Sequence, residues 1–262
     1  MILTLKDIKL SFTTAKDSFK ILNGVNFVVE KNKITALVGS NGSGKTTIFN
    51  VISGFQKGYT GKIIFEGKPL HHLSPAQVAQ KGIGRLFQSN PLFQDLSLLD
   101  NMKLASNDCS GETPFTYLVN RKKIDKKEQE KEQQAIDILN RLFGADNKYV
   151  KMLHCLGSNF SHGEQRIISL ARLFMGDYSL LLLDEPTSGV NPVYISTIKQ
   201  IIRQMVADGK TTVLLIEHSM PFVGDIADKC VYLSNGKIQF QGTPQEVLGN
   251  QEVRNNYLGG GR

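Results

Sequence analysis

Gly39-Ser40-Asn41-Gly42-Ser43-Gly44-Lys45-Thr46 stands between two apolar runs, Ile34-Thr-Ala-Leu-Val38 before it and Ile48-Phe-Asn-Val-Ile52 after it. The octapeptide has the spacing G-x-x-x-x-G-K-[ST], and its flanks predict strand, loop and helix in the order such a loop requires. Glycines let successive backbone N–H groups turn inward onto phosphate oxygens, and the following helix adds the positive end of its dipole. Lys45 supplies a point charge for the β- and γ-phosphates, and the Thr46 hydroxyl can serve a magnesium ion. A glycine-rich turn with a chance lysine would need neither the strand before it nor the helix after it. A nucleoside triphosphate site is therefore expected here, with Thr47 beside it.

Outward from the loop, Leu180-Leu-Leu-Leu-Asp184-Glu185-Pro186 places two neighbouring carboxylates where a buried strand leaves its sheet. Ligands of open α/β sheets lie at the carboxyl ends of strands, so this edge should face the phosphate loop. Asp184 is then suited to hold Mg²⁺ through water, and Glu185 to polarise an attacking water. Two solvated acids at a strand end are the plain alternative, which the phosphate loop disfavours. A second apolar strand ends in Leu214-Leu-Ile-Glu217-His218. A lone histidine is usually structural, but one at this edge can donate to a γ-phosphate.

The strands recur along 262 residues. Ile2-Leu-Thr-Leu, Gly24 to Val29, Lys33 to Val38 and Gly61 to Gly67 predict strands and turns, and Ser74-Pro75 predicts a capped helix start. From about 98 to 175 strand signals vanish. Lys126 to Phe143 carries a helical stripe through Ala135, Ile136, Ile138, Leu139, Leu142 and Phe143 that stops at Gly144. Ile195, Ile198, Ile201, Ile202 and Met205 mark another helical face between the buried strands. Strands apolar on both faces and separated by helices predict a parallel α/β sheet, interrupted by a helical block.

Composition excludes several classes. At 40% hydrophobic and 21% charged residues the chain is neither disordered nor fibrous. No run approaches a membrane span, and the opening Met1-Ile-Leu-Thr-Leu-Lys lacks the features of a secretion signal. Cys109, Cys155 and Cys230 have no metal-ligand spacing, so reduced thiols in a cytoplasmic protein are expected. The net charge is +7. However, the densest basic run, Arg121-Lys-Lys-Ile-Asp-Lys-Lys, leads straight into Glu128-Gln-Glu-Lys-Glu without aromatic residues, which predicts a solvated helix face and no nucleic-acid partner.

With these strand ends in place, the chain resembles an ABC transporter ATP-binding subunit over nearly its whole length. Phe87-Gln88 is similar to the Q-loop, Phe160-Ser161-His162-Gly163-Glu164-Gln165-Arg166 to the signature, Ser188-Gly-Val-Asn191 to the D-loop, and His218 matches the switch histidine. The resemblance implies a P-loop NTPase fold of the ABC cassette type. It would have a mixed RecA-like core with an N-terminal antiparallel β subdomain (1–95 and 176–262) and an inserted α-helical signature subdomain (96–175), in one ATPase domain over 1–262. It implies MgATP hydrolysis with Glu185 as general base, Gln88 and His218 at the γ-phosphate, and Thr46, Gln88 and Asp184 around the metal. Phe12, or alternatively Phe19, would stack on adenine. The signature would act on the nucleotide of a second, identical or paralogous ATPase subunit. Ser161 with Glu164 also forms a capping box at the start of an amphipathic helix through Ile167, Ile168, Leu170, Ala171 and Phe174. With Gly163 exposing its N–H groups, that capped end is an anion site.

His162 and Glu164 replace the family's usual glycine and glutamine, and Asn191 its aspartate. The changes at His162 and Asn191 resemble the branch that takes up branched-chain amino acids, urea and related solutes. Gly82-Ile-Gly-Arg-Leu-Phe-Gln88, the insert around 107–131, Glu217-His218-Ser-Met-Pro-Phe-Val and the ending Gly242-Thr-Pro-Gln-Glu-Val-Leu with Tyr257-Leu-Gly are also similar to it. The resemblance implies a peripheral subunit at the cytoplasmic face of the plasma (inner) membrane. Its partners would be integral permease subunits and, indirectly, a solute-binding protein. An ATPase of a lipid or lipopolysaccharide exporter and a soluble non-transport ABC protein are the alternatives, disfavoured by the 107–131 insert and by the absence of a second cassette or sustained heptads.

Overall fold

The computed structural model describes residues 1–13, 18–88, 92–106 and 121–258. Cys109, the 107–131 insert up to residue 120, and Gly259 of the tail lie outside them. Internal contacts divide the chain into two compact units, Met1–Gln88 with Ser179–Ser188 and Ile202–Arg262, and Ser89–Tyr178 with Gly189–Ile201.

The first unit holds both sheets. One has four strands in the order β2-β1-β4-β5: β1 Leu3–Thr13, β2 Ser18–Val29, β4 Thr60–Phe65 and β5 Lys68–Pro69, all antiparallel. The other has six, in the order β10-β9-β3-β8-β7-β6. Its strands are β3 Ile34–Val38, β6 Ile83–Leu86, β7 Leu180–Asp184, β8 Thr212–Ile216, β9 Lys229–Ser234 and β10 Lys237–Gly242. Only β10 runs antiparallel to its neighbour; β9, β3, β8, β7 and β6 are parallel. Every residue of β3, β7 and β8 is buried, as expected for strands covered on both faces. Helix α1, Lys45–Ile52, puts Ile48, Phe49 and Ile52 into one core with Leu37 and Leu182 of the parallel sheet and Leu3, Leu5 and Phe27 of the antiparallel one. Helix α2, Pro75–Gln80, starts as the sequence predicts: Ser74 caps it in a reciprocal box with Gln77, and proline occupies the first turn.

The second unit is helical among its described residues, with α3 Leu98–Lys103, α4 Arg121–Phe143, α5 Lys148–Lys151 and α6 His162–Ala171. Of the α4 stripe Ala135, Ile138, Leu139 and Leu142 are buried and Ile136 and Phe143 only partly so, and the helix stops at Gly144, whose φ of +86° suits a residue without Cβ. The acids that follow the basic start of α4 are paired: Glu128 with Lys103 of α3 at 2.8 Å and with Lys131 at 3.7 Å, and Glu130 with Lys126 at 3.8 Å. The sequence carries the signature helix on to Phe174, whereas α6 ends at Ala171. The chain tightens there into a 3-10 turn over Arg172–Met175, and with three residues per turn Leu173 and Met175 are buried while Phe174 is only partly so. Helix α7, Ile195–Ala207, begins in this unit and ends in the first, with Ile198, Ile201, Ile202 and Met205 buried. Helices α8 Met220–Ile226, α9 Pro244–Gly249 and α10 Gln251–Leu258 complete the chain.

The middle of β7 is a stringent packing test. Leu182 is fully buried in the core, and Leu182→Ala should lower stability by about 3 kcal/mol. A urea titration by circular dichroism should show an earlier midpoint with an unchanged slope.

Candidate active site

β3 ends at Val38 and the chain curls through Gly39 to Gly44 into α1. Close packing demands the first glycine: a Cβ on Gly39 would lie 2.2 Å from the Leu233 carbonyl oxygen. Gly44, at φ +105°, combines a left-handed backbone with a Cβ position 2.9 Å from the Leu22 side chain. Lys45 Nζ donates to the carbonyls of Gly39 and Ser40 at 2.7 and 2.8 Å, which holds the ammonium inside the curl. Burial lowers its pKa below the usual lysine range, against the opposing pull of Glu185 and Asp184. Ser43 Oγ is buried and has no hydrogen-bond partner among the described residues. A phosphate oxygen would satisfy it. Ammonium, loop N–H groups and this hydroxyl form a donor set that fits a polyphosphate, and exposed Thr46 opens the first turn of α1. The cleft in front encloses about 310 Å³ and runs from Ile21 and Asn41 past Lys45 and Thr46 to Glu185 and His218.

Phe12 and Phe19 face each other directly across the β1–β2 hairpin, exposed at 45% and 55%. Directly opposed residues share a face of the sheet, so either ring is available.

The acids lie where the parallel register puts them. Asp184 ends β7 opposite Ile216 of β8, so the next residues on each strand, Glu185 and Glu217, leave the sheet side by side. Glu185 has a φ of +47°, a costly conformation for a non-glycine residue that concentrates at functional sites. Gln88 Nε2 donates to Glu185 Oε2 at 2.6 Å, and His218 Nε2 lies 2.8 Å from Glu185 Oε1. Residues chosen from separate strand ends thus meet at one carboxylate.

Asp184 is almost fully buried, and its Oδ2 accepts from the guanidinium of Arg85 at 3.2 Å. Sequence reasoning missed Arg85. Its guanidinium also donates to Asn50 Oδ1 on α1 and to Ser53 Oγ at the C-cap of that helix, both at 2.8 Å, and lies 4.4 Å from the centroid of the Phe87 ring. Burial lowers the Arg85 pKa while the Asp184 charge opposes that shift. The signal was there: a charge inside the apolar strand Ile83-Gly-Arg-Leu86 needs a buried partner.

In the second unit Ser161 caps α6 and Glu164 closes the capping box, its carboxylate accepting from the Ser161 N–H at 2.8 Å and from the Ser161 hydroxyl at 2.6 Å. Burial raises the Glu164 pKa, but bonds from Lys148 and Ser161 outweigh it and hold the carboxyl below its usual range. His162 is exposed, whereas Gln165 is buried and donates to the carbonyls of Gly157 and Phe160. Gly163 is buried against Tyr194, whose Cδ2 would lie 2.4 Å from an added Cβ, so the ring's close approach requires the glycine. Asn191 caps the 3-10 turn Pro192–Tyr194 by accepting from the Val193 N–H.

Among the described residues no group of three or more His, Cys, Asp or Glu could form a metal cage, and no helix is long and apolar enough to cross a membrane. Magnesium held by one or two protein ligands plus phosphates needs no such cage.

A phosphate loop leaving an inner parallel strand, with acids at the ends of nearby strands, defines a phosphate-loop nucleotide-binding protein. The ABC transporter family model matches residues 22–188, and the chain belongs to that family. It is 34% identical to the probable branched-chain amino acid transport ATP-binding protein LivG of Archaeoglobus fulgidus, over 93% of this chain and 91% of that one. It is 31% identical to the high-affinity branched-chain amino acid transport ATP-binding proteins BraF of Pseudomonas aeruginosa and LivG of Escherichia coli, over 91% of each chain. Among solved structures, an ATP-binding cassette of an ABC transporter in its ADP conformation superposes with a TM-score of 0.80 at 32% identity, covering 98% of both chains. A nucleotide-free cassette superposes at 0.79 with 30% identity and the same coverage.

Removing Arg85 would take from buried Asp184 the guanidinium that pairs with it. Arg85→Ala should cost about 3 kcal/mol, read as a lower urea midpoint at neutral pH.

Proposed function

We propose that this chain, the ATP-binding subunit of an ABC transporter, hydrolyses MgATP to power the uptake of branched-chain or other hydrophobic amino acids. The observation that carries the catalytic reading is the meeting of Gln88 and His218 on Glu185 in the cleft walled by the phosphate loop. Residues Gly39 to Thr47 bind the phosphates, with Lys45 countering their charge, and Phe12 or Phe19 stacks on the base. Glu185 orients and deprotonates the attacking water, while His218 and Gln88 fix its carboxylate. Magnesium, when bound, neutralises the phosphate charge that grows during transfer, and Thr46, Gln88 and Asp184 are the residues that would hold it.

The capped end of α6, from Ser161 to Gln165, acts on the nucleotide of a second ATPase subunit, identical or paralogous. Permease subunits receive the movement at the cytoplasmic face of the membrane, where this chain is peripheral. The solute class follows from the names of the relatives at 31–34% identity.

Glu185→Gln should retain ATP binding and lose hydrolysis by about a hundredfold or more, measured as phosphate release. Lys45→Ala should abolish the rise in melting temperature that saturating MgATP gives the wild type. A tagged chain isolated in mild detergent should bring integral membrane proteins with it; recovery with ribosomes alone would overturn the transport reading.

A further inference from the structure

We infer that Glu217 is a positioning residue for the catalytic pair, its buried carboxylate tying the chain that leaves β7 to the chain that leaves β8 so that Glu185 and His218 stay in register. This rests on the roles of Glu185 and His218 proposed above and adds the group that sets their geometry.

Glu217 is only 2% exposed. Its Oε1 accepts from the Thr187 N–H at 2.9 Å and from the Thr187 hydroxyl at 2.5 Å. Its Oε2 accepts from the His218 N–H at 3.0 Å. Both oxygens are engaged, one on each exit from the sheet, so the carboxylate cannot turn without releasing one of them. Thr187 lies two residues beyond Glu185, and His218 directly follows Glu217. The same two exits are joined by the Glu185 N–H donating to the Ile216 carbonyl at 3.0 Å and by the His218–Glu185 contact at 2.8 Å. Glu217 therefore sits within the interleaved contacts whose outermost member is the catalytic pair.

Energetics favour the same reading. Burying a carboxylate is costly unless its lone pairs are used, and here two backbone N–H groups and a hydroxyl use them. A buried charge is a poor way to gain stability but an effective way to hold two backbones at fixed distance. Catalysis is sensitive to such distances, since a shift of about 1 Å can cost about a hundredfold in rate.

Glu217→Gln turns an acceptor into a donor that must face an N–H or the hydroxyl. Thr187→Val removes one bond at constant shape, and Thr187→Ser keeps the hydroxyl. Steady-state hydrolysis should show kcat about tenfold lower for Glu217→Gln and several-fold lower for Thr187→Val, with Thr187→Ser close to wild type. The KM for ATP and the thermal response to MgATP should be unchanged. In a His218→Ala background, Glu217→Gln should add no further loss, because the geometry it maintains no longer matters; general structural damage would multiply instead. Unchanged kcat in both folded single variants, a multiplied loss in the double variant, or a defect confined to KM would overturn the assignment. If Glu217→Gln fails to fold, the Thr187 pair decides by the same criteria. Wild-type turnover in Glu185→Gln and His218→Ala would instead overturn the catalytic reading on which this rests.

Discussion

The parallel register of β3, β8 and β7 is the constraint on which the site depends. Parallel strands end at the same edge, so residues that follow Val38, Ile216 and Asp184 emerge together although they are far apart in sequence. The order places β8 directly between the strand that carries the phosphate loop and the strand that carries the acids. A one-residue slip of β8 would move its side chains to the other face and withdraw His218 from Glu185. Close packing on both faces of β3, β7 and β8 opposes that slip, because every side chain of these buried strands would have to repack. Hydrophobic packing thus sets the strand register, and the contacts at the edge act within it.

Ending fully buried strands in charged residues brings carboxylates out of water, and the chain meets that cost differently at each position. Asp184 takes a guanidinium, whose Nη1 also donates to Asn50 of α1 and to Ser53 at its C-cap. Glu217 takes backbone N–H groups and a hydroxyl. Lys45 folds back on the carbonyls of its own loop. Each solution also orders a backbone segment next to the cleft, since a buried polar group is tolerable only with its partners in place. Satisfying buried charge and shaping the site are here the same event.

Much of this was legible in the sequence because local signals and tertiary roles coincide. The phosphate loop is contiguous, glycine encodes its curl, and the apolar runs on either side announce the strand and helix. Asp184, Glu185 and His218 follow unbroken apolar strands, so their place at the edge was readable once the sheet was recognised as parallel. Arg85 and Glu217 were not, because their meaning lies in partners 99 and 30 residues away. The burial of Gly163 was not legible for a related reason. Its sequence context speaks of a helix end, while its burial comes from Tyr194, which a local reading does not see. Phe12 and Phe19 stayed undecided because they are directly paired and differ neither in face nor much in exposure.

The departures at the signature also have a physical account. In a capping box the third helical residue must accept from the N-cap N–H, a task glutamine performs with a carbonyl and Glu164 with a carboxylate. The charged acceptor makes the stronger bond and suits the positive end of the α6 dipole. It also brings a negative charge to a helix end that, in the function proposed here, must meet phosphate. Lys148 answers that charge from the start of α5, and the Ser161 hydroxyl answers it from within the cap. With glutamine neither cation nor extra donor would be needed, so Glu164 and Lys148 make sense as a pair rather than as separate substitutions. His162, exposed beside them, leaves the cap's hydrogen bonds untouched, which is why a bulky residue is tolerated there while Gly163 one position on admits no side chain.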